Sequence, residues 1–320
     1  MSDAAALEHG QEQPTWVLFG ELLSDCFPDE EVAGGAPFNV AAHLCALANA
    51  REGLPLLVSR IGQDERGEFL LRRVREVGLC TDAIQRDALH PSGCVEIQLK
   101  DGEHTFSIVP DQAWDFIATA PAWRALGIRR AQWLYFGTLA QRGASREALR
   151  ALLQANAARG FLDVNLREDS IPSEVLEWSF AHAEVVKLND GELQRIAAQL
   201  DIDAQDPRDA AHQLMRRFDI GRVIVTEGAR GAWSIDRDAL LVRVAPQPVV
   251  EGFQDSVGAG DAFAAVCLLG LVRGWSVELL LARADRFARE ICRIRGAVSP
   301  SLSFYDDFRA EFATDTVHST

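Results

Sequence analysis

Short apolar runs recur along the chain with helix-like periods between them, and this alternation restricts the fold more than any other feature. The runs are Trp16–Phe19, Leu56–Arg60, Trp133–Phe136, Phe161–Val164, Val185–Leu188 and Arg222–Thr226. Apolar residues at helical spacing fall around 38–50, 65–77, 145–158, 172–180, 190–199, 207–218, 261–273 and 277–294. Gly78 and Gly160 stand where helices should stop. Short connections and regular alternation predict a doubly wound, mostly parallel α/β sheet flanked by helices. Ligands of such sheets sit beyond the carboxyl ends of the strands, so the loops there are where chemistry is expected.

One segment breaks the alternation. Residues 94–109 read CVEIQLKDGEHTFSIV, and Asp101-Gly102 is a strong two-residue hairpin signal. A turn there pairs Lys100 with Glu103, Ile97 with Phe106 and Val95 with Ile108. That register puts Val95, Ile97, Leu99, Phe106 and Ile108 on one side, opposite Glu96, Gln98 and Ser107. A hairpin with one apolar face must cover something: the main sheet, a cleft or a second subunit.

Charge and cysteine usage remove several classes of function. A net charge of −15 over 320 residues argues against nucleic acid or an anionic membrane as partner. A phosphate-bearing ligand would then have to be held by local donors and cations. Cys26, Cys45, Cys80, Cys94, Cys267 and Cys292 are scattered without a C-x-x-C pair, as in a reducing compartment. Residues 1–13 are polar and lack the apolar stretch of a signal peptide, and Ala262–Val272 is too short to span a bilayer. A cytoplasmic protein is expected, with tails at 1–13 and 314–320 around one domain over 14–313.

The densest chemistry lies at residues 255–263, Asp255-Ser256-Val257-Gly258-Ala259-Gly260-Asp261-Ala262-Phe263, just before an apolar helix. Free N–H groups at a helix start bind anions, and glycines let the backbone approach a ligand. A carboxylate there suits a base that takes a proton from a hydroxyl beside the anion. The plainer alternative is that Asp261 caps the helix. The stretch is neither a G-x-G-x-x-G fingerprint nor a G-x-x-x-x-G-K-[ST] loop.

Four further segments stand where strands end or helices begin. Gly34-Gly35-Ala36-Pro37-Phe38-Asn39 permits close backbone approach and presents an amide, or is simply a turn into a packed helix. Asp25, after the first strand, could accept from two sugar hydroxyls or be a solvated loop residue. Asp163-Val164-Asn165-Leu166-Arg167 offers Arg167 as a phosphate contact. Asn189-Asp190-Gly191-Glu192 is a capping-box pattern that is also compatible with Glu192 supporting a hydrated Mg²⁺. Thr226-Glu227-Gly228-Ala229-Arg230-Gly231 reads as a glycine-bearing hairpin or as a nucleotide loop.

Together these segments resemble the PfkB (ribokinase-like) carbohydrate kinases. The D-[TS]-x-G-A-G-D-x-F motif is complete, with Ser256 in the place usually held by threonine. The diglycine, N-x-x-E and T-x-G-x-x-G elements follow in family order, and the resemblance covers about residues 15–310. Gly20–Asp25, Gly34–Asn39, Phe136–Arg142 and Asp163–Arg167 look most like fructokinases.

The resemblance implies a ribokinase-like fold with a small β-sheet lid from about 24–34 and 92–112. It implies transfer of the γ-phosphate of ATP to a primary hydroxyl, with D-fructose the leading substrate. 2-Keto-3-deoxygluconate, ribose, a nucleoside, or a non-catalytic sensor are the alternatives. It makes Asp261 the base, with Gly258, Ala259 and Gly260 donating N–H groups to the phosphoryl oxygens. Asp25, Gly34, Gly35, Asn39 and Arg167 would hold the sugar. Asn189, Thr226, Gly228, Gly231 and Gly260 would contact ATP. Glu192 would support Mg²⁺ through water, Asp255 a monovalent cation such as K⁺, and the lid a homodimer.

Overall fold

The computed structural model describes residues 15–26, 31–49, 52–100, 103–127, 131–156, 158–167, 171–245 and 252–313, and of 96–107 the backbone alone. The chain runs through β1 (Trp16–Phe19), β2 (Leu23–Cys26), β3 (Glu31–Gly34), α1 (Ala36–Leu47), β4 (Leu56–Gly62), α2 (Glu65–Glu76) and β5 (Ile84–Asp87). It continues through β6 (Gly93–Lys100), β7 (Glu103–Ile108), α3 (Thr119–Leu126), β8 (Trp133–Gly137), α4 (Gly143–Asn156) and β9 (Arg159–Asp163). Then follow α5 (Ser173–Ala181), β10 (Val185–Asn189), α6 (Asp190–Gln199), α7 (Pro207–Phe218), β11 (Arg222–Thr226), β12 (Ala232–Asp236) and β13 (Leu241–Arg243). The last elements are α8 (Ala259–Arg273), α9 (Val277–Ile291) and α10 (Asp306–Ala313).

The main sheet has nine strands in the order β13-β12-β11-β10-β9-β8-β1-β4-β5. From β5 to β11 all pairs are parallel, and β12 and β13 add an antiparallel edge. The winding direction reverses between β1 and β8, which is where a doubly wound sheet opens a crevice. Alternate strand residues feed two cores: Trp16 and Leu18 pack on one face, Val17 and Phe19 on the other. Helices α1, α2, α8, α9 and α10 cover the first face, and α3 to α7 the second. Helix α8 is buried continuously from Asp261 to Gly270, which accounts for its unbroken apolar sequence.

Every expected strand of the main sheet is present, with ends moved by a few residues. The helix expected over 38–50 starts earlier, at Ala36, because Pro37 supplies a ready first turn. The helix expected to reach 158 stops at Asn156, just ahead of β9 at Arg159.

A second sheet has four strands in the order β3-β2-β6-β7. The β6–β7 register is the expected one, with Lys100 opposite Glu103, Ile97 opposite Phe106 and Val95 opposite Ile108. The facing of most of these side chains lies outside the described residues. Asp25 belongs to β2 of this sheet, paired with Val32 and Val95, within the span expected for the small sheet and not in a solvated loop.

Candidate active site

Helix α8 begins at Ala259, so Asp261 lies in its first turn. Its cap is Gly258, held at φ 76°. A side chain there is excluded twice, by the left-handed backbone and by Ala297, whose Cβ would lie 2.3 Å from an added Cβ. Asp261 is the third helical residue and not the cap. Ala262 N donates to Gly258 O at 2.8 Å, and Ala259 N donates to Ser256 O at 3.2 Å. Among the described residues no acceptor meets the N–H groups of Gly260 and Asp261. Of the expected donors Gly258, Ala259 and Gly260, only the Ala259 N–H is engaged within the chain among the described residues.

The Asp261 carboxylate is almost fully buried, and its Oδ2 accepts from Asn39 Nδ2 at 2.8 Å. Burial pushes its pKa up, against the hydrogen bond from Asn39. Asn39 stands on the first turn of α1, whose N-cap Gly35 has φ 104°. A Cβ on Gly35 would sit 2.4 Å from Glu21 O, so the turn is pressed directly onto the chain leaving β1. Asn39 Oδ1 is buried without a protein partner, an acceptor left unsatisfied by the chain.

Two more carboxyls share this space. Glu21, 5% exposed, accepts from Ala36 N at 3.2 Å. Its pKa is raised to about 7, chiefly by burial and further by Asp261. Asp25 is raised to about 6 by burial, with Arg167 pulling it back. Gly34 adjoins it, since a Cβ there would lie 2.7 Å from Asp25 Oδ2. Arg167 is exposed and acts on Glu21, Asp25 and Asp261 together. The fold thus gathers Asp25, Gly34, Gly35, Asn39, Arg167 and Asp261 from five separate elements. Glu21 escaped the sequence reading because an acidic residue after a strand carries no local sign of burial.

Most of the remaining expected residues lie at or just beyond the ends of β10 and β11, and Asp255 lies just ahead of α8. Asn189 pairs with Thr226 across the two strands. Asn189 caps α6: its Oδ1 accepts from Glu192 N, and Glu192 Oε2 accepts from Asn189 N, both at 2.8 Å. Glu192 Oε1 also accepts from Leu166 N at 2.8 Å. Each carboxylate oxygen thus holds a backbone donor, and the second lone pairs leave room for water. Gly228 and Gly231 flank a single 3₁₀ turn within the β11–β12 hairpin. Asp255 Oδ1 accepts from Val257 N at 2.8 Å, which closes the turn into α8. Among the described residues no group of three or more His, Cys, Asp or Glu side chains forms a metal cluster.

Sequence reasoning also missed a buried ion pair. Lys187 of β10 sits opposite Asp163 of β9, and Nζ lies 2.9 Å from both Asp163 oxygens. Tyr135 donates to Asp163 Oδ2 at 3.3 Å. Burial works against the Lys187 charge, but Asp163 more than offsets it and holds the ammonium above its ordinary pKa.

Comparison with known proteins agrees with this architecture. The pfkB family carbohydrate kinase model matches residues 7–303. A fructokinase of Escherichia coli is 30% identical over 274 residues, covering 80% of this chain and 83% of its own. A fructokinase of Vibrio alginolyticus is 28% identical over 293 residues, covering 85% and 89%. The crystal structure of a Xylella fastidiosa fructokinase with bound ATP superposes with a TM-score of 0.77 at 24% identity, covering 93% of this chain and 98% of that one. No helix among the described residues is long and apolar enough to cross a membrane. With the family model matched along nearly its whole length, the chain belongs to the PfkB family of carbohydrate kinases.

Proposed function

We propose that this carbohydrate kinase transfers the γ-phosphate of ATP to the primary hydroxyl of D-fructose, giving fructose 6-phosphate. The observation that carries the reading is the buried Asp261 carboxylate, oriented by Asn39 beside two unbonded N–H groups of α8. Fructokinase relatives and the ATP-bound neighbour support the choice of substrates.

In this reading Asp261 takes the proton of the attacking hydroxyl while that oxygen closes on the phosphorus. The N–H groups of Gly260 and Asp261 receive charge that develops on the phosphoryl oxygens. The chemistry asks for positioning and electrostatic stabilisation more than covalent help. Asn39 Oδ1 and the Asp25 carboxylate accept sugar hydroxyls, with Gly34 and Gly35 giving the sugar room. Arg167 supplies positive charge among the carboxyls. Asn189, Thr226, Gly228 and Gly231 line the nucleotide side.

Nucleotide-bound Mg²⁺ would neutralise phosphate charge, and Glu192, whose two oxygens each already accept from a backbone N–H, would support it through water. A K⁺ near Asp255 and a homodimer through the four-stranded sheet, acting as a lid, complete the proposal. A monomeric mass by light scattering would remove the dimer.

ADP release should be measured with fructose, ribose, 2-keto-3-deoxygluconate and a nucleoside. Fructose is expected to give the highest kcat/KM, and no ADP from any of them would favour a sensor. Asp261→Asn should keep ATP binding and lose about 10²–10⁴-fold in turnover, the usual contribution of a general base. Normal turnover by that variant would remove the assigned mechanism.

A further inference from the structure

Lys187 is an expensive residue to keep where it is. Its ammonium is buried, and burying an ion pair commonly yields no more stability than packing apolar groups in its place. It also stands at the amino end of α8, where the helix dipole already presents positive charge and disfavours a cation. A Cβ added to Gly260 would lie 3.3 Å from Lys187 Nζ, with no other atom within 4 Å. The Asp163 oxygens are not within 4 Å of that position, so the ammonium is the nearer end of the pair to Gly260. The ammonium thus lies against Gly260, the residue that carries one of the free N–H groups of this turn.

We propose that Lys187, clamped by Asp163, is a positioning residue for phosphoryl transfer that supplies fixed positive charge behind the first turn of α8. It does not reach the substrate. It acts through the Gly260 turn, holding that backbone in place and strengthening its attraction for the charge that grows on the transferred group. Desolvation makes the effect large, because a charge in a water-excluded site is weakly screened. The surroundings leave the cation little competition. Asp163 consumes two of its three donors, Tyr135 bonds Asp163 and not the lysine, and the Cys267 thiol from α8 is held protonated by burial. Glu192 and Asp261 act on it only at a distance.

This inference rests on the assignment of Asp261 as the base, and the test separates the two. Steady-state kinetics with ATP and fructose should be run on the wild type, Lys187→Met, Lys187→Gln, the double variant Lys187→Met/Asp163→Asn, and Asp261→Asn. Inhibition by ADP with aluminium fluoride, a mimic of the transferring phosphoryl group, is measured in parallel. Loss of the ammonium should lower kcat at least tenfold while KM for fructose moves less than about threefold, and should weaken the mimic more than ATP.

The double variant decides the matter, because it removes the cation without stranding the Asp163 charge. Retention of the loss in that variant supports the proposal. Recovery to within twofold of wild-type kcat would mean that Lys187 only neutralises Asp163. Failure of all three lysine variants to fold would assign the residue to the fold and overturn the proposal. Full turnover by Asp261→Asn would instead overturn the assignment of the base.

Discussion

Asn39 and Asp261 are 222 residues apart in sequence, yet the Asn39 amide donates a 2.8 Å hydrogen bond to the Asp261 carboxylate. The bond ties the first turn of α1 to the first turn of α8. It fixes which carboxylate oxygen is engaged, Oδ2, and leaves Oδ1 without a protein donor among the described residues. It also fixes the amide, so that Oδ1 is the buried acceptor left over.

Asn39→Ala removes both functions at once. The variant should lose about 1.5–3 kcal/mol of transition-state stabilisation, the range for a hydrogen bond to a charged group. The loss should appear in kcat as well as in KM for the sugar, while KM for ATP stays nearly constant. A change confined to KM for ATP would put Asn39 on the wrong side of the site.

Gly258→Ala should be among the most damaging conservative changes in the chain. The left-handed backbone and the 2.3 Å approach to Ala297 act together. Strain and overpacking suggest a cost of about 2–4 kcal/mol. Urea unfolding reads the stability, and an initial-rate assay reads the displaced Asp261. An unchanged midpoint with full activity would contradict the packing described.

Glu21→Gln should reveal a pH-dependent penalty. The native carboxyl has a pKa of about 7 against an ordinary value of 4.5, so the native state binds more protons than the unfolded chain between those values. Its contribution is fully present below about pH 4.5 and is lost as pH rises through about 7. Above that, keeping the group ionised in place costs on the order of 3 kcal/mol. The glutamine variant should match the wild type near pH 5 and exceed it near pH 8 in urea midpoint. Equal differences at both pH values would rule out a raised Glu21 pKa.

Glu192→Ala should destabilise the protein whether or not Mg²⁺ is present. The carboxylate holds the backbone N–H groups of Asn189 and Leu166, and losing both bonds should cost about 2–4 kcal/mol. A thermal melt in excess chelator checks this. A stability loss seen only with magnesium would make Glu192 a metal residue first.

Local and near-local features were legible in the sequence. The β6–β7 register follows from Asp101-Gly102 and the alternation around it, and the Asn189–Glu192 box follows from residue types three apart. What sequence could not show were partnerships between distant residues. Lys187 reads as one polar residue inside a strand, and only the β9–β10 register puts Asp163 beside it. Glu192 reads as a cap, and its second bond to Leu166 appears only when β9 and β10 lie side by side. Helices α3 and α10 and strands β5 and β13 are not legible because they are short and their patterns are shared with loops, and β2 and β3 are expected only through the resemblance. Asp25 reads locally as a loop residue, because a four-residue strand after a glycine looks like a loop, and only the resemblance puts it in the small sheet.

That support matters beyond bookkeeping. Asp261 rides on a helix enclosed on every side, whereas Asp25 rides on a separate sheet joined to the main body by short connections. Under the proposed function, the half of the site that would handle the phosphate is set in the interior, and part of the half that would recognise the acceptor is carried on an appendage. A lineage built this way can acquire a new acceptor by remodelling the appendage, leaving the reactive machinery untouched. Chimeras that exchange the small sheet between relatives would be a direct route to new specificities.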